Sequence, residues 1–505
     1  MSSSLPDTSA SLANQSLAAA VQQPNYDRSR LKSRIAHLGF GAFHRAHQAL
    51  YTSEMLDKTQ SDWGICEINL FSSQLIEQLR QQNHLFSVLE KGPSQQQVKV
   101  CGAITESLHP KLDGIAAVIN KLADPDIKIV SLTITEKGYC VDLSNGHLDS
   151  ENPLISADLK QPEAPQSAIG YIVAALKNRR ANGLTAFTVM SCDNMPNNSS
   201  IAKQAIIDYA TLIDSSLAEW IEREVSFPCT MVDRIVPAMT AQSNEELSQA
   251  LGVDDPCGVV CEPFRQWVIE DNFVNGRPDW DLAGAHFVDD VTPFEEMKLR
   301  MLNGSHSFLA YLGYLGGYSL IYQAIQNATY RNAVTALMTD EQAPSLSLPD
   351  SVDLNAYAES LIERFANTAI AHETYQIATD GSQKLPQRVC ESLRYHLALG
   401  NRAPWLTLTI AGWMMYVCEQ DEQGNRIEVR DPMLATIRQH RKGASNARQL
   451  AESLLAIEPI FGQDLRQNLG FVTQLSEQLD RLHKLGAEQT IQETLQATKT
   501  TTGGQ

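Results

Sequence analysis

Three observations predict an α/β N-terminal domain followed by a mostly α-helical C-terminal domain. A strand runs into two glycines and then a helix at 34–55; two later apolar strands turn polar at their ends, at 127–139 and 185–198; and helical spacing takes over from Thr292. A chain of 505 residues exceeds one ordinary core, which fits that division. The net charge of -19 excludes a nucleic-acid surface and attraction to anionic lipid. No apolar run approaches the roughly 20 residues of a membrane span, and the start of the chain lacks a basic segment followed by an apolar core, so a cytoplasmic protein is expected. Nine scattered cysteines fit reduced, buried thiols. Cys257 and Cys261 read as packing residues, because no second pair or histidine follows at zinc-site spacing.

Residues 1–30 are rich in Ser, Gln and Asn without a sustained period, and read as a flexible arm or an extended strap. From Arg34, IAHLGFGAFHRAHQALYTSEML reads as a buried strand, a turn at Gly39 and Gly41, and a helix with Ala46, Leu50 and Met55 inward. Such a turn brings backbone amides of Phe40, Ala42 and Phe43 against a pyrophosphate, although His44 stands where GxGxxG has its third glycine. A dinucleotide loop and a plain strand-turn-helix both fit. His44 and His47 share a helix face but lack a third ligand nearby, so they read as a solvated or phosphate-facing pair and no metal is expected. Arg45 would add a fixed positive charge there.

DWGICEINLF reads as the second strand, where Glu67 is the one carboxylate available for an adenosine ribose and sits inside the strand. No Arg or Lys falls between Glu67 and Glu77 to invite the extra phosphate of NADP. A helix at 74–82 and a strand pair (HLFSVLEK, VKVCGAIT) follow. IKIVSLTITEKGY is a β-branched run with Thr133, Thr135 and Glu136 at the end where a parallel strand meets a ligand crevice. TAFTVMSCDN repeats that pattern and leaves Asn194 at the mouth, able to donate to an oxygen or to close an Asx turn. In FPCTMVDRIVP, Asp233 and Arg234 interrupt apolar flanks; a structural Asp-Arg bridge is the default, a substrate contact the alternative.

The boundary is placed near residue 290, with helices at 294–327, 329–342, 354–371, 387–399, 405–418 and 430–442. The first opens on EEMKLRMLNGSH. On an α-helix at about 100° per residue, with Lys298 at zero, Glu295 lies at roughly 60°, His306 at roughly 80° and Asn303 at roughly 140°. One side thus carries a proton acceptor, a carboxamide donor, an imidazole and a carboxylate, a set suited to removing the proton of an alcohol. A wet outer helix face would look the same.

HLGFGAFHRAHQALYT, SLTITEKGYC, FTVMSCDN, FPCTMVDRIVP, CEPFRQWVIEDNFVNGRPDW, KLRMLNGSHSFLAYLGYLGGY and DGSQKLPQR together resemble the polyol-specific long-chain dehydrogenases, the mannitol dehydrogenase family, over about residues 30–480. The resemblance implies a Rossmann-type NAD-binding domain over 31–290, a helical substrate domain over 291–505, a cleft between them, and metal-independent hydride transfer with NAD. It implies Lys298 as general base, Asn194 and Asn303 as holders of the reacting oxygen, and His306, Asp233 and Lys384 as substrate contacts. Glu295 stands beside the base, and GFGAFHR is the cofactor loop. Where mannitol enzymes carry an arginine this chain has Gln376, and it has Arg300 and Arg388 where they differ. Arg388 or Lys384 could hold a sugar-acid carboxylate; Arg300, at roughly 200° on a continuous helix, points away. The resemblance implies the interconversion of D-mannonate and D-fructuronate, with mannitol or arabinitol oxidation and a non-catalytic NAD-binding sensor as alternatives; the oligomeric state stays open.

Overall fold

The structure, a computed structural model, describes Leu12 and residues 16–142, 145–350 and 352–502. It divides into two compact units, Met1–Thr292 and Pro293–Gln505. In the first, strands β1 (Lys32–Leu38), β2 (Trp63–Ile68), β3 (Ile104–Leu108), β4 (Ile129–Leu132) and β5 (Thr188–Ser191) form one parallel sheet in the order β3-β2-β1-β4-β5. The reversal of order at β1 puts a switch point between β1 and β4, and their C-terminal ends carry Gly39 and Thr133. One face is covered by the helices Ile115–Ala123, Ala168–Ala181 and Asn198–Ile213, the other by Gln48–Thr59, with Trp267 and Trp280 in the same apolar cluster.

A buried polar row crosses four of the strands. His37 pairs with Glu67 on one side and Ser131 on the other, and Glu67 pairs with Ser107; none is more than 5% exposed. Partners in register on parallel strands project to the same face, so these four side chains lie side by side inside the sheet layer.

Of the two readings of the N-terminal segment, a flexible arm or an extended strap, residues 16–30 take the second. Gln22 pairs with Lys99, accepting from Val100 N (2.8 Å) and donating to Val98 O (2.9 Å) along the strand Gln96–Cys101. Arg28 donates to Gly102 O and Ile104 O. Leu12 and, beside it, Leu17 and Val21 join an apolar cluster with Val98, Val100 and Leu251, and that burial offsets the ordering entropy of the strap. The rest of the expected arm, 1–11 and 13–15, lies outside the described residues.

The second unit is helical. Its axis is Pro404–Tyr416, apolar on all sides and packed between Ser305–Leu315 and Leu469–Leu485. Glu341 receives the amides of Trp405 (2.9 Å) and Leu406 (2.7 Å), which satisfies two donors that a helix start leaves without partners. The long helix expected at 294–327 is instead Thr292–Met297, a π-helical run Lys298–Gly304, Ser305–Leu315 and, after Gly316 and Gly317, Ile321–Gln326. Two further π runs, Leu337–Gln342 and Pro386–Cys390, pack on the first.

The three runs meet at Gly304, where a Cβ would lie 2.5 Å from Gln342 Nε2 and 2.7 Å from Arg388 O. Gly304→Ala is expected to destabilise the second unit by about 1–3 kcal/mol, the usual cost of overpacking against backbone. Thermal denaturation measures it, and an unchanged midpoint would mean that the three runs separate freely.

Candidate active site

The first unit presents the glycine turn. Gly39 has φ +116°, and a Cβ there would lie 2.1 Å from Thr133 O, so only glycine lets β1 turn this close to the end of β4. Gly41 precedes the short helix Ala42–Ala46 and is exposed, and no side chain caps that helix start. Phe40 is buried while Ala42 and Phe43 are half-buried, so a bound anion would meet backbone here and not charged side chains. Thr133 is half-buried at the turn, and Thr135 and Glu136 are exposed where the next loop opens the short helix Thr135–Gly138. That loop is tied down by Asp193, whose carboxylate accepts from Ile134 N (3.0 Å), Thr135 N (2.9 Å) and Tyr139 OH (2.7 Å). Burial raises the Asp193 pKa against the pull of these donors. Asn194, next in the chain, is exposed.

The charged residues of this loop face inward, which corrects three expectations. Arg45 is buried, donates to Gly41 O (3.2 Å) and Cys257 O, and lies over the Phe40 ring; it braces the loop and does not face a phosphate. His47 is buried against Phe43 and Trp267 with Nε2 3.1 Å from Gln266 O, so it is not part of a solvated pair. His44 takes the space that the third glycine of GxGxxG leaves to close packing. It lies flat on His37 (ring centroids 3.5 Å apart) and reaches Glu67 with Nε2 3.0 Å from a carboxylate oxygen. Glu67 is fully buried and so stands where no ribose could reach it.

His37, His44 and Glu67 cluster closely enough to suggest a metal. His37, however, has Nδ1 2.8 Å from Ser131 Oγ and Nε2 within 3.1 Å of Gly39 O and 2.9 Å of Thr133 Oγ1, so both nitrogens are engaged. Two ligands and parallel rings do not make a metal centre. A shared proton accounts for the cluster better. Burial pushes the Glu67 carboxyl up to about 8 and holds His37 and His44 down to about 3, so at neutral pH the acid keeps its proton beside two neutral imidazoles.

Asp233 ends the strand Thr230–Asp233 and is buried opposite Gln266. The bridge expected from Arg234 goes elsewhere: Arg234 pairs with Glu90 and donates to Ala46 O and Glu262 O.

In the second unit Lys298 opens the π run, with Glu295 one α-turn before it, Asn303 within the run and His306 just after it. Lys298, Glu295 and His306 are buried and Asn303 is half-buried. The α-helical azimuths expected for this set do not hold. A π turn takes one more residue per hydrogen-bonded ring, so residues five apart, about 140° apart on an α-helix, swing toward one another, and Lys298 and Asn303 are five apart.

His306 packs against the rings of Phe365 (4.6 Å) and His372 (5.0 Å), and its Nε2 meets no donor or acceptor among the described residues. Burial, then the charges of His372, Arg364 and Arg388, hold its pKa well below the ordinary value, so the ring is neutral. Arg388 is half-buried, and burial lowers its pKa to about 10. Burial and then Arg388 bring Lys384 down to about 8, while its ammonium donates to Thr379 O (2.6 Å) and Ile377 O (3.2 Å). Arg300 is occupied by Ser345 O (2.5 Å) and Glu296 (3.2 Å). Tyr311, Arg364, Phe365 and His372 are additions that only the fold brings to this cluster; no local motif marks them.

A parallel sheet in dinucleotide-fold order with a glycine turn at its switch point, and a helical unit carrying a buried lysine and carboxamide on a π run, define a two-domain protein of Rossmann type. Residues 33–282 match the mannitol dehydrogenase Rossmann domain and residues 290–483 the mannitol dehydrogenase C-terminal domain. The chain belongs to the mannitol dehydrogenase family. It is 56% identical to D-mannonate oxidoreductase of Escherichia coli over 474 residues, 93% of this chain and 97% of that protein. Among solved structures it resembles Pseudomonas fluorescens mannitol 2-dehydrogenase in its ternary complex with NAD and D-mannitol, at 39% identity and a TM-score of 0.80, covering 95% of this chain and 98% of that one. It also resembles D-sorbitol dehydrogenase in substrate-free form, at 35% identity and a TM-score of 0.89, covering 94% and 98%.

The buried proton has a consequence for stability. Between pH of about 4.3 and 8 the folded protein keeps a proton on Glu67 that the unfolded chain releases, so this group's contribution falls as pH rises through that window. His37 and His44 act in the opposite sense, adding stability from about pH 3 to about 6.5, because only the unfolded chain takes up their protons there. The melting temperature should peak near pH of about 6.5 and decline toward 8. Glu67→Gln should remove that decline; the same decline in the variant would place the proton elsewhere.

Proposed function

We propose that the protein is an NAD-dependent oxidoreductase that interconverts D-mannonate and D-fructuronate. The observation that carries the sugar-acid reading is Arg388: a half-buried guanidinium for which the described residues offer no carboxylate, near the neutral His306 and Lys384. Buried cations are normally paired, and an anionic ligand would supply the partner. The relative named for D-mannonate supports the substrate, and the related structure named with NAD supports the cofactor.

The glycine turn fits a dinucleotide, since the missing side chain at Gly39 lets β1 turn tightly against the end of β4 and the helix start beyond it has no cap. The backbone of residues 39–43, with Thr133, Thr135 and Glu136 around it, would hold the cofactor. When bound, NAD supplies a hydride acceptor. Lys298 takes the hydroxyl proton of the alcohol and returns it in the reverse direction, and Asn303 donates to the oxygen on which negative charge develops. Asn194 keeps the donor role its motif gives it, Asp233 and His306 hold neighbouring hydroxyls, and Glu295 links the base to solvent. Arg388 and Lys384 receive the carboxylate through charge-assisted bonds. Among the described residues no helix is long and apolar enough to cross a membrane, and with nine free cysteines a cytoplasmic location follows in this reading.

Following NADH consumption with D-fructuronate and D-fructose in parallel tests the reading. Preference for fructuronate is expected; preference for fructose would move the protein to the polyol enzymes, and silence with both would favour a non-catalytic role. Arg388→Ala should raise KM for fructuronate roughly 10- to 100-fold, the worth of a hydrogen bond to a charged group, and spare fructose. Lys298→Ala should abolish turnover while NADH still binds. Because Lys384 loses its proton near pH 8, KM for the sugar acid should rise above that pH and KM for an uncharged polyol should not. A flat profile would remove Lys384 from the site.

A further inference from the structure

The carbonyl of Gly39 is held from three sides. It accepts from Gly41 N (2.7 Å), from the Thr133 hydroxyl (2.8 Å) and from His37 Nε2 (3.1 Å). A carbonyl only accepts, so this contact takes the His37 tautomer protonated on Nε2, a nitrogen that also lies 2.9 Å from Thr133 Oγ1, with Nδ1 accepting from Ser131 Oγ at 2.8 Å. Ser131 Oγ gives its one proton to Nδ1 in this arrangement and lies 2.8 Å from the side-chain amide of Gln48, on the helix that follows the turn, which faces it with its N–H. The ring has no freedom to leave this position: it is fully buried and stacked on His44. Gly39 N donates to Ile68 O (2.9 Å), so β2 holds the other end of the residue.

In a trans peptide the C=O and the following N–H point in opposite directions. Drawing the Gly39 carbonyl inward therefore turns the Phe40 N–H outward, to the side of the turn away from β4. If the Gly39–Phe40 peptide flipped, a carbonyl oxygen would face that side and repel a phosphate.

We propose that His37 is a positioning residue for dinucleotide binding: together with Thr133 it locks the Gly39–Phe40 peptide so that its N–H, and not its carbonyl, meets the pyrophosphate. This rests on the reading that the dinucleotide binds at the Gly39 turn. His37 itself touches no ligand; it acts from inside the sheet, through the Gly39 carbonyl.

The test uses the full-length protein with NADH as probe, Kd from NADH fluorescence, and KM and kcat for NAD measured separately. His37→Phe keeps a flat ring on His44 and deletes the donor; Thr133→Val keeps the shape and deletes the hydroxyl. Each should weaken NADH binding about tenfold, with the effect on KM for NAD exceeding that on kcat, and Thr133→Ser should restore affinity. The double variant should lose less than the product of the single losses, because both act on one carbonyl. If His37→Phe fails to fold, the Thr133→Val and Thr133→Ser pair decides alone. Wild-type affinity in folded variants, or fully multiplicative losses, would overturn the inference; a wild-type protein that binds no NADH would overturn both it and the reading beneath it.

Discussion

An α-helix sets a residue and its fifth neighbour about 140° apart, and the second unit departs from that rule in a way that turns Lys298 and Asn303 toward one another. The extra residue of the π run Lys298–Gly304 does so. A π turn is a poorer backbone arrangement than an α turn and persists where surrounding packing holds it. Here the support comes from two more π runs that converge on Gly304, where only a hydrogen atom fits between Gln342 and the Arg388 backbone. The residue that closes this packing thus lies one position from Asn303, and the run that carries Arg388 is part of the same contact.

The first unit solves a different problem. The third glycine of the usual fingerprint lets helix and strand pack closely, and this chain places an imidazole there. His44 is accommodated because the strands beneath it present His37 and Glu67 in register, so a polar group finds polar neighbours. Three ionisable side chains in a dry layer would cost several kcal/mol if charged, and the cluster avoids that by holding a proton on the acid and none to spare on the rings. The arrangement also explains why Glu67 cannot serve the adenosine ribose, as one carboxylate does not satisfy a buried histidine and an exposed hydroxyl at once.

How much could be read from the residues follows from how local each feature is. The strand, glycine turn and helix at 34–55 were legible, because apolar periodicity and glycine spacing are local signals. That Lys298, Asn303 and His306 stand within eight positions of one another was legible too. Their azimuths were not, since a period of 3.6 was assumed across a segment whose hydrogen bonding shifts by one residue. His44, Arg45 and His47 were misread for one common reason: polarity predicts exposure on average, and these three find buried partners on Trp267, Cys257 and Glu67, far along the chain. Tyr311, Arg364 and His372 were missed because nothing near them in sequence marks them; Arg364 and His372 join His306, and Tyr311 joins Arg388, only when the helices pack.

The strap at residues 16–30 runs along Gln96–Cys101, the outer strand of a three-stranded sheet with Phe86–Lys91 and Val259–Cys261. An uncovered outer strand offers its free amides and carbonyls to any other chain that arrives extended, which is how β-sheet proteins begin to aggregate. Gln22 occupies two of those groups, and the side chains of Leu17 and Val21 screen the apolar flank beside them. The segment with the least secondary structure of its own therefore acts as a seam, guarding the molecule against others of its kind.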